Sequence, residues 1–106
     1  MTEPFGKSLV SRKKFLRLLG LPGEKGGLRS GLVVLPAGKS IGEHNTDEKK
    51  EILVILRGKA RVYFGKKKMI SLSAPGFIFI PPKTPHDVKN IGRNNLKYVY
   101  ITSSKE

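Results

Sequence analysis

The sequence predicts an all-β protein, a single antiparallel β-barrel or jelly roll. From Leu28 onward, short apolar or β-branched runs recur with turn residues between them, at the roughly 8–12-residue spacing typical of sandwiches and barrels. Each run is punctuated by Gly, Pro or a lysine cluster, residues that stop a strand for distinct steric and solvation reasons. The chain has 106 residues, enough for one domain with a modest core.

Taken in order, Leu28 to Leu35 is apolar and β-branched and ends at Pro36-Ala37-Gly38. Glu51 to Leu56 is apolar on both faces, which predicts a strand buried between two sheets. Arg57-Gly58-Lys59 turns into Ala60 to Phe64, and Gly65 with three lysines turns into Met69 to Leu72. Ser73 to Gly76 leads into Phe77 to Ile80, where Pro81-Pro82 breaks the run. Val88 to Ile91 and Leu96 to Ile101 complete the set. Before residue 28, Lys13 to Leu19 reads as a strand, because three cations would crowd the first turn of a helix there. The Gly-rich stretch Pro22 to Gly27 reads as a loop. No repeat or linker divides the chain, so residues 1–106 form one domain.

Composition narrows function. Without cysteine there are no disulfides, thiolate ligands or thiol nucleophile. No basic stretch followed by an apolar run marks a signal peptide, and no run is long enough to span a bilayer. The expectation is a cytoplasmic protein that does not enter membranes. Lys and Arg outnumber Asp and Glu by 21 to 8, for a net charge of +13. The basic clusters are short and lack interleaved aromatics, which argues against nucleic acid and for solvated turns. Such a field still attracts small anions.

Only two histidines are present, each in a conspicuous context. In the first, Gly38 is followed after five residues by His44-Asn45-Thr46, after four more by Glu51, and after six by Gly58. If residues 42–46 are extended, side chains 44 and 46 share a side. A turn through 47–50 then returns Glu51 beside His44 on the neighbouring strand. His86, from a strand far along the chain, supplies a third donor. Two imidazoles and a carboxylate form a set that binds Zn²⁺ or an open-sided iron. The same three residues would otherwise make a hydrogen-bonded core cluster in a metal-free barrel.

These spacings resemble the two motifs of the cupin family. The first covers about residues 38–58; the second, about 75–90, supplies the anchors Gly76, Pro82, His86 and Asn90. Two departures stand out. Thr46 occupies the place of the family's usual second histidine, leaving it as a possible fourth position beside His44, Glu51 and His86. Lys83 follows the matching proline where a small turn residue, often Gly, is typical. The resemblance implies the jelly-roll barrel and one divalent ion, with Zn, Mn, Fe and Ni not distinguished. It also implies a small-molecule ligand and a homodimer, to which Lys7 to Val10 would contribute by adding to a partner's sheet. Gly38, Gly58 and Gly76 are expected in backbone turns and Asn90 at a strand end. An enzyme of this family would be a metal-dependent dioxygenase, isomerase or epimerase, or decarboxylase; a non-catalytic sensing barrel is the other expectation. The excess positive charge points either one towards an acidic metabolite.

Overall fold

The computed structural model describes residues 3–20 and 27–103. Nine strands and no helix occupy them: β1 (Phe15–Leu19), β2 (Leu28–Leu35), β3 (His44–Asn45), β4 (Lys50–Arg57), β5 (Lys59–Phe64), β6 (Lys68–Ser73), β7 (Gly76–Ile80), β8 (Pro85–Asn90) and β9 (Leu96–Ser103). A five-stranded sheet runs β1-β2-β9-β4-β7 and a four-stranded sheet β3-β8-β5-β6. Every pairing is antiparallel, so the fold is the expected antiparallel jelly roll. No helix here is long and apolar enough to cross a membrane.

Side-chain alternation builds the core directly. Val33 and Leu35 on β2, Leu53 and Ile55 on β4, Ile78 and Ile80 on β7, and Tyr98 on β9 face inward. They meet Ala60 and Val62 of β5 and Val88 of β8 from the opposite sheet. The tight turn between β4 and β5 depends on Gly58, whose φ is +92°. A Cβ there would lie 2.8 Å from the Asn95 carbonyl oxygen, so both conformation and space select glycine. Asn90 closes the far end of the core. Its Nδ2 donates to the Leu35 and Asn94 carbonyls, and its Oδ1 accepts from Gly92 N, all at 2.8 Å.

Several sequence expectations change in detail. β4 is not buried on both faces: Ile52 and Leu56 are exposed on its outer side, which no second layer among the described residues covers. Phe77 and Phe79 of β7 share this outer side and are exposed as well. β8 begins at Pro85, three residues earlier than the apolar run implied, since its polar half points into the barrel. Gly76 opens β7 in extended backbone, while Gly38 does sit in a left-handed turn. Lys7 to Val10 forms no strand within the chain. Of the predicted loop at 22–27, residues 22–26 lie outside the described residues.

Candidate metal centre

The core columns explain where polar chemistry appears. On β4, Glu51, Leu53 and Ile55 share the inward face; on β8, His86, Val88 and Asn90 do. Glu51 and His86 therefore extend two apolar columns at the same end of the barrel, and both are buried, at 5% and 1% exposure. His44 joins them from β3, whose Cα register sets it directly opposite His86. The two rings meet edge-on with centroids 4.2 Å apart.

This corrects the strand-level expectation for His44. Its neighbouring strand is β8, and Glu51 lies across the barrel in the other sheet. The three residues still converge: one donor atom from each lies within 4.8 Å of the others. Glu51 Oε1 is 3.0 Å from His86 Nε2 and 3.8 Å from His44 Nε2. Three donors about 2.0–2.2 Å from one ion stand roughly 3.0–3.5 Å apart. The buried pair already has that spacing, and rotation of the half-exposed His44 side chain closes the third side.

The hydrogen-bond pattern supports the same fit. His86 Nδ1 lies 2.9 Å from the Thr84 carbonyl, and His44 Nδ1 lies 3.4 Å from that of Gly42. A carbonyl only accepts, so each Nδ1 donates there and each Nε2 is the ring atom turned towards Glu51. His86 Nε2 is buried and makes no hydrogen bond, although Glu51 is near. The approach is close but misdirected for a hydrogen bond, as it is when two ligands aim at a common point. A backbone acceptor fixing the tautomer is the usual support of a ligating histidine. The residues fit a divalent ion.

Electrostatics tie the cluster together. Burial pushes the Glu51 carboxyl up, but the close imidazoles of His44 and His86 outweigh it and hold it below the ordinary carboxylate range. The Glu51 carboxylate raises His44 above the ordinary imidazole value, against a smaller opposing effect of burial.

Thr46 is placed differently from a free ligand. It lines the cavity, yet its hydroxyl donates to the Pro81 carbonyl at 2.8 Å and accepts from Thr84 N at 3.0 Å. It staples the loop between β7 and β8, the loop that contains Pro82 and whose Thr84 carbonyl orients His86. Lys83, in the same loop, has φ of +58°, which explains why glycine suits that position. Glu48 pairs with Lys83 at the surface and stands outside the site.

A cavity of about 350 Å³ opens over the three residues. Tyr98 and Tyr100 of β9 line it, as does Asp47. Sequence reasoning missed Phe15, Arg17 and Arg29, which also line it. The sequence alone held no signal for them, because their inward direction follows from pairing: Phe15 with Val33, Arg17 with Gly31 and Arg29 with Thr102, all on the inward face.

Residues 31–102 match the cupin domain family. The chain belongs to the cupin family. An uncharacterized protein of Methanocaldococcus jannaschii is 35% identical over 64 residues, covering 60% of this cupin. The chain spans about half the length of that relative. Among solved structures, a protein from Bacillus halodurans superposes with a TM-score of 0.84 at 22% identity, over 99% of this chain and 84% of its own. The cupin domain of Schizosaccharomyces pombe Cnp3 gives 0.81 at 22%, over 94% and 74%. At such identities the structural likeness speaks for the fold.

Proposed function

We propose that this cupin holds one divalent metal ion on His44, Glu51 and His86 and binds a small acidic metabolite in the cavity above it. The observation that carries the proposal is His86 Nε2, a buried ring nitrogen with no hydrogen-bond partner that stands 3.0 Å from Glu51 Oε1. Leaving such an atom unsatisfied costs about 1–3 kcal/mol, and with Nδ1 already donating, an electron-pair acceptor placed between Nε2 and Glu51 would satisfy both groups. A bound ion supplies Lewis-acid or redox chemistry with positions open to a ligand. The cavity offers donors to that ligand. Burial raises both the Tyr98 and Tyr100 phenols above their ordinary value, so at neutral pH they donate hydrogen bonds and do not act as bases.

One observation favours binding or sensing without turnover. Outside the ligand set, Asp47 is the only carboxylate among the lining residues, and no nucleophile stands beside a base. Turnover would therefore rest on the ion itself, as a dioxygenase, isomerase or decarboxylase reaction allows. The deciding experiment is elemental analysis of protein purified without a His-tag or chelator, followed by titration with Zn²⁺, Mn²⁺, Fe²⁺ and Ni²⁺. About one ion per chain is expected, with none retained by His86→Ala. Failure of all four to bind the unsubstituted protein overturns the metal reading and leaves a binding barrel.

A further inference from the structure

The inward face of the five-stranded sheet carries a second polar group beyond the metal cluster. One register row crosses three strands as Arg29, Thr102 and Glu51. With strands about 4.8 Å apart, the Arg29 and Glu51 backbones lie about 10 Å apart on one concave surface. The adjacent row runs Arg17, Gly31 and Tyr100. Both arginines thus look into the same cavity as His44, Glu51 and His86.

Their positions are built, not incidental. Gly31 has no side chain, and a Cβ there would lie 2.6 Å from Tyr100 Cε2 and 2.8 Å from Phe15 Cε1. The gap lets the Phe15 and Tyr100 rings stack, with centroids 6.1 Å apart and planes at 16°. The Arg17 guanidinium lies 5.6 Å over the Phe15 ring, and its Nη1 donates to the Gly20 carbonyl at 2.7 Å. Gly20 also packs against the stem of Arg29: a Cβ on it would sit 2.5 Å from Arg29 Cγ. One turn residue therefore anchors one guanidinium and braces the other side chain. Among the described residues, no carboxylate lies within ion-pair distance of either. With Lys49, three cations line the cavity against Asp47 and Glu51, and a divalent ion would widen that positive excess. The Tyr100 phenol between them feels Arg17, Arg29 and Glu51 together.

We infer that Arg17 and Arg29 form an anion subsite that grips the carboxylate or phosphate of the cavity's ligand while its other end faces the metal cluster. The second half rests on the proposed function; the anion subsite does not. A guanidinium matches a carboxylate or phosphate through two parallel N–H bonds, which a lysine cannot reproduce. The span favours a short ligand, its anionic group separated by a few bonds from the group nearest the ion.

Metal-stripped protein separates the two ideas. Inorganic phosphate and malonate, as the two anion sources, are titrated by calorimetry into the unsubstituted protein, Arg17→Gln, Arg29→Gln and, as a charge-matched control, Lys67→Gln. Each arginine variant is expected to bind at least one of the two anions about 10-fold more weakly, and the control within about 2-fold. Arg29→Lys keeps the packed stem and the charge and should still lose several-fold, which covers the case in which Arg29→Gln folds poorly. Arg17→Gln should still take up one ion per chain, since Arg17 is outside the ligand set, and removing a cation from the cavity should if anything tighten that ion. Equal weakening in Lys67→Gln would show that the overall field, not a subsite, attracts anions, and undiminished binding in both arginine variants would also overturn the inference. Absence of metal binding alongside selective loss in the arginine variants would refute only the metal reading.

Discussion

Thr46→Val removes one buried hydroxyl and almost no volume, so it isolates the staple between β3 and the β7–β8 loop. Thr46 is 5% exposed and makes two hydrogen bonds, to Pro81 O at 2.8 Å and from Thr84 N at 3.0 Å. Each such bond contributes about 1 kcal/mol net. The loop is partly exposed and water replaces some of the loss, which places the expected destabilisation at about 1–2 kcal/mol. In urea, with a slope of about 1–3 kcal/mol per molar, the midpoint of the metal-free protein should fall by about 1 M. Thr46→Ser keeps the hydroxyl and should retain most of the stability. Thr46→His destroys the staple while adding an imidazole to the cavity wall. It should therefore lower metal-free stability yet tighten divalent-metal binding about 10-fold or more. If Thr46→Val and Thr46→His both unfold within 0.5 kcal/mol of the unsubstituted protein, a difference at the size of ordinary surface substitutions, the staple contributes nothing and the argument fails.

The remaining predictions follow from the same geometry. Lys83→Gly should raise stability by about 0.5–1 kcal/mol, because relief of the left-handed backbone exceeds the entropy glycine adds to the unfolded chain; the exposed Lys83–Glu48 pair at 3.8 Å offers little to lose. A thermal melt showing no gain would refute it. Metal affinity should climb with pH until it passes the raised value of His44, above the ordinary 6.5, since binding must displace that proton. Without metal the signs differ. Protonated His44 stabilises the fold below 6.5 and the benefit is lost as pH rises through its folded value; ionised Glu51 stabilises above 4.5 and the benefit is lost as pH falls through its own. Metal-free stability should therefore peak between those values, and affinity that stays flat from pH 5.5 to 8 would refute the assignment of His44. For assembly, we propose that a second copy of the chain covers Ile52, Leu56, Phe77 and Phe79, apolar groups exposed on adjacent strands β4 and β7. Sedimentation should then give twice the 11.7 kDa chain mass, rising in occupancy with salt that screens the positive charge, and Phe77→Glu should return the monomer; an unsubstituted protein that is monomeric at micromolar concentration refutes the pairing.

Strand positions were legible because each apolar run is closed by a residue with a steric reason to stop it. Leu28 to Leu35 emerged with the same bounds as β2. His44, Glu51 and His86 were legible because no other histidines compete and the motif spacing names the carboxylate. Pairing was not legible. Alternation says which residues share a face of one strand, not which strand lies alongside, so His44 was set beside β4 when it pairs with β8. The same gap hid Arg17 and Arg29, whose inward direction follows only from their partners Gly31 and Thr102. It also hid the exposure of Phe77 and Phe79, since an apolar residue reads alike on either side of a sheet.

The location of the chemistry follows from how a barrel of this size fills. Each inward column begins with apolar residues that the opposite sheet can cover: Val33 and Leu35 on β2, Leu53 and Ile55 on β4, Val88 on β8. Two residues further along each strand, towards the open end, the same face carries Gly31, Glu51 and His86. Polar groups are tolerated there only if something satisfies them. Glu51 has two imidazoles beside it and His44 has solvent, but His86 Nε2 is buried and no protein group is aimed to hydrogen-bond it. An apolar side chain at position 86 would have avoided that cost, and the column would then simply have continued as core. The fold thus retains at position 86 a group that is unfavourable in isolation and becomes favourable with an electron-pair acceptor between it and Glu51. That asymmetry, more than the count of ligands, is what supports the proposed metal ion at this barrel's open end.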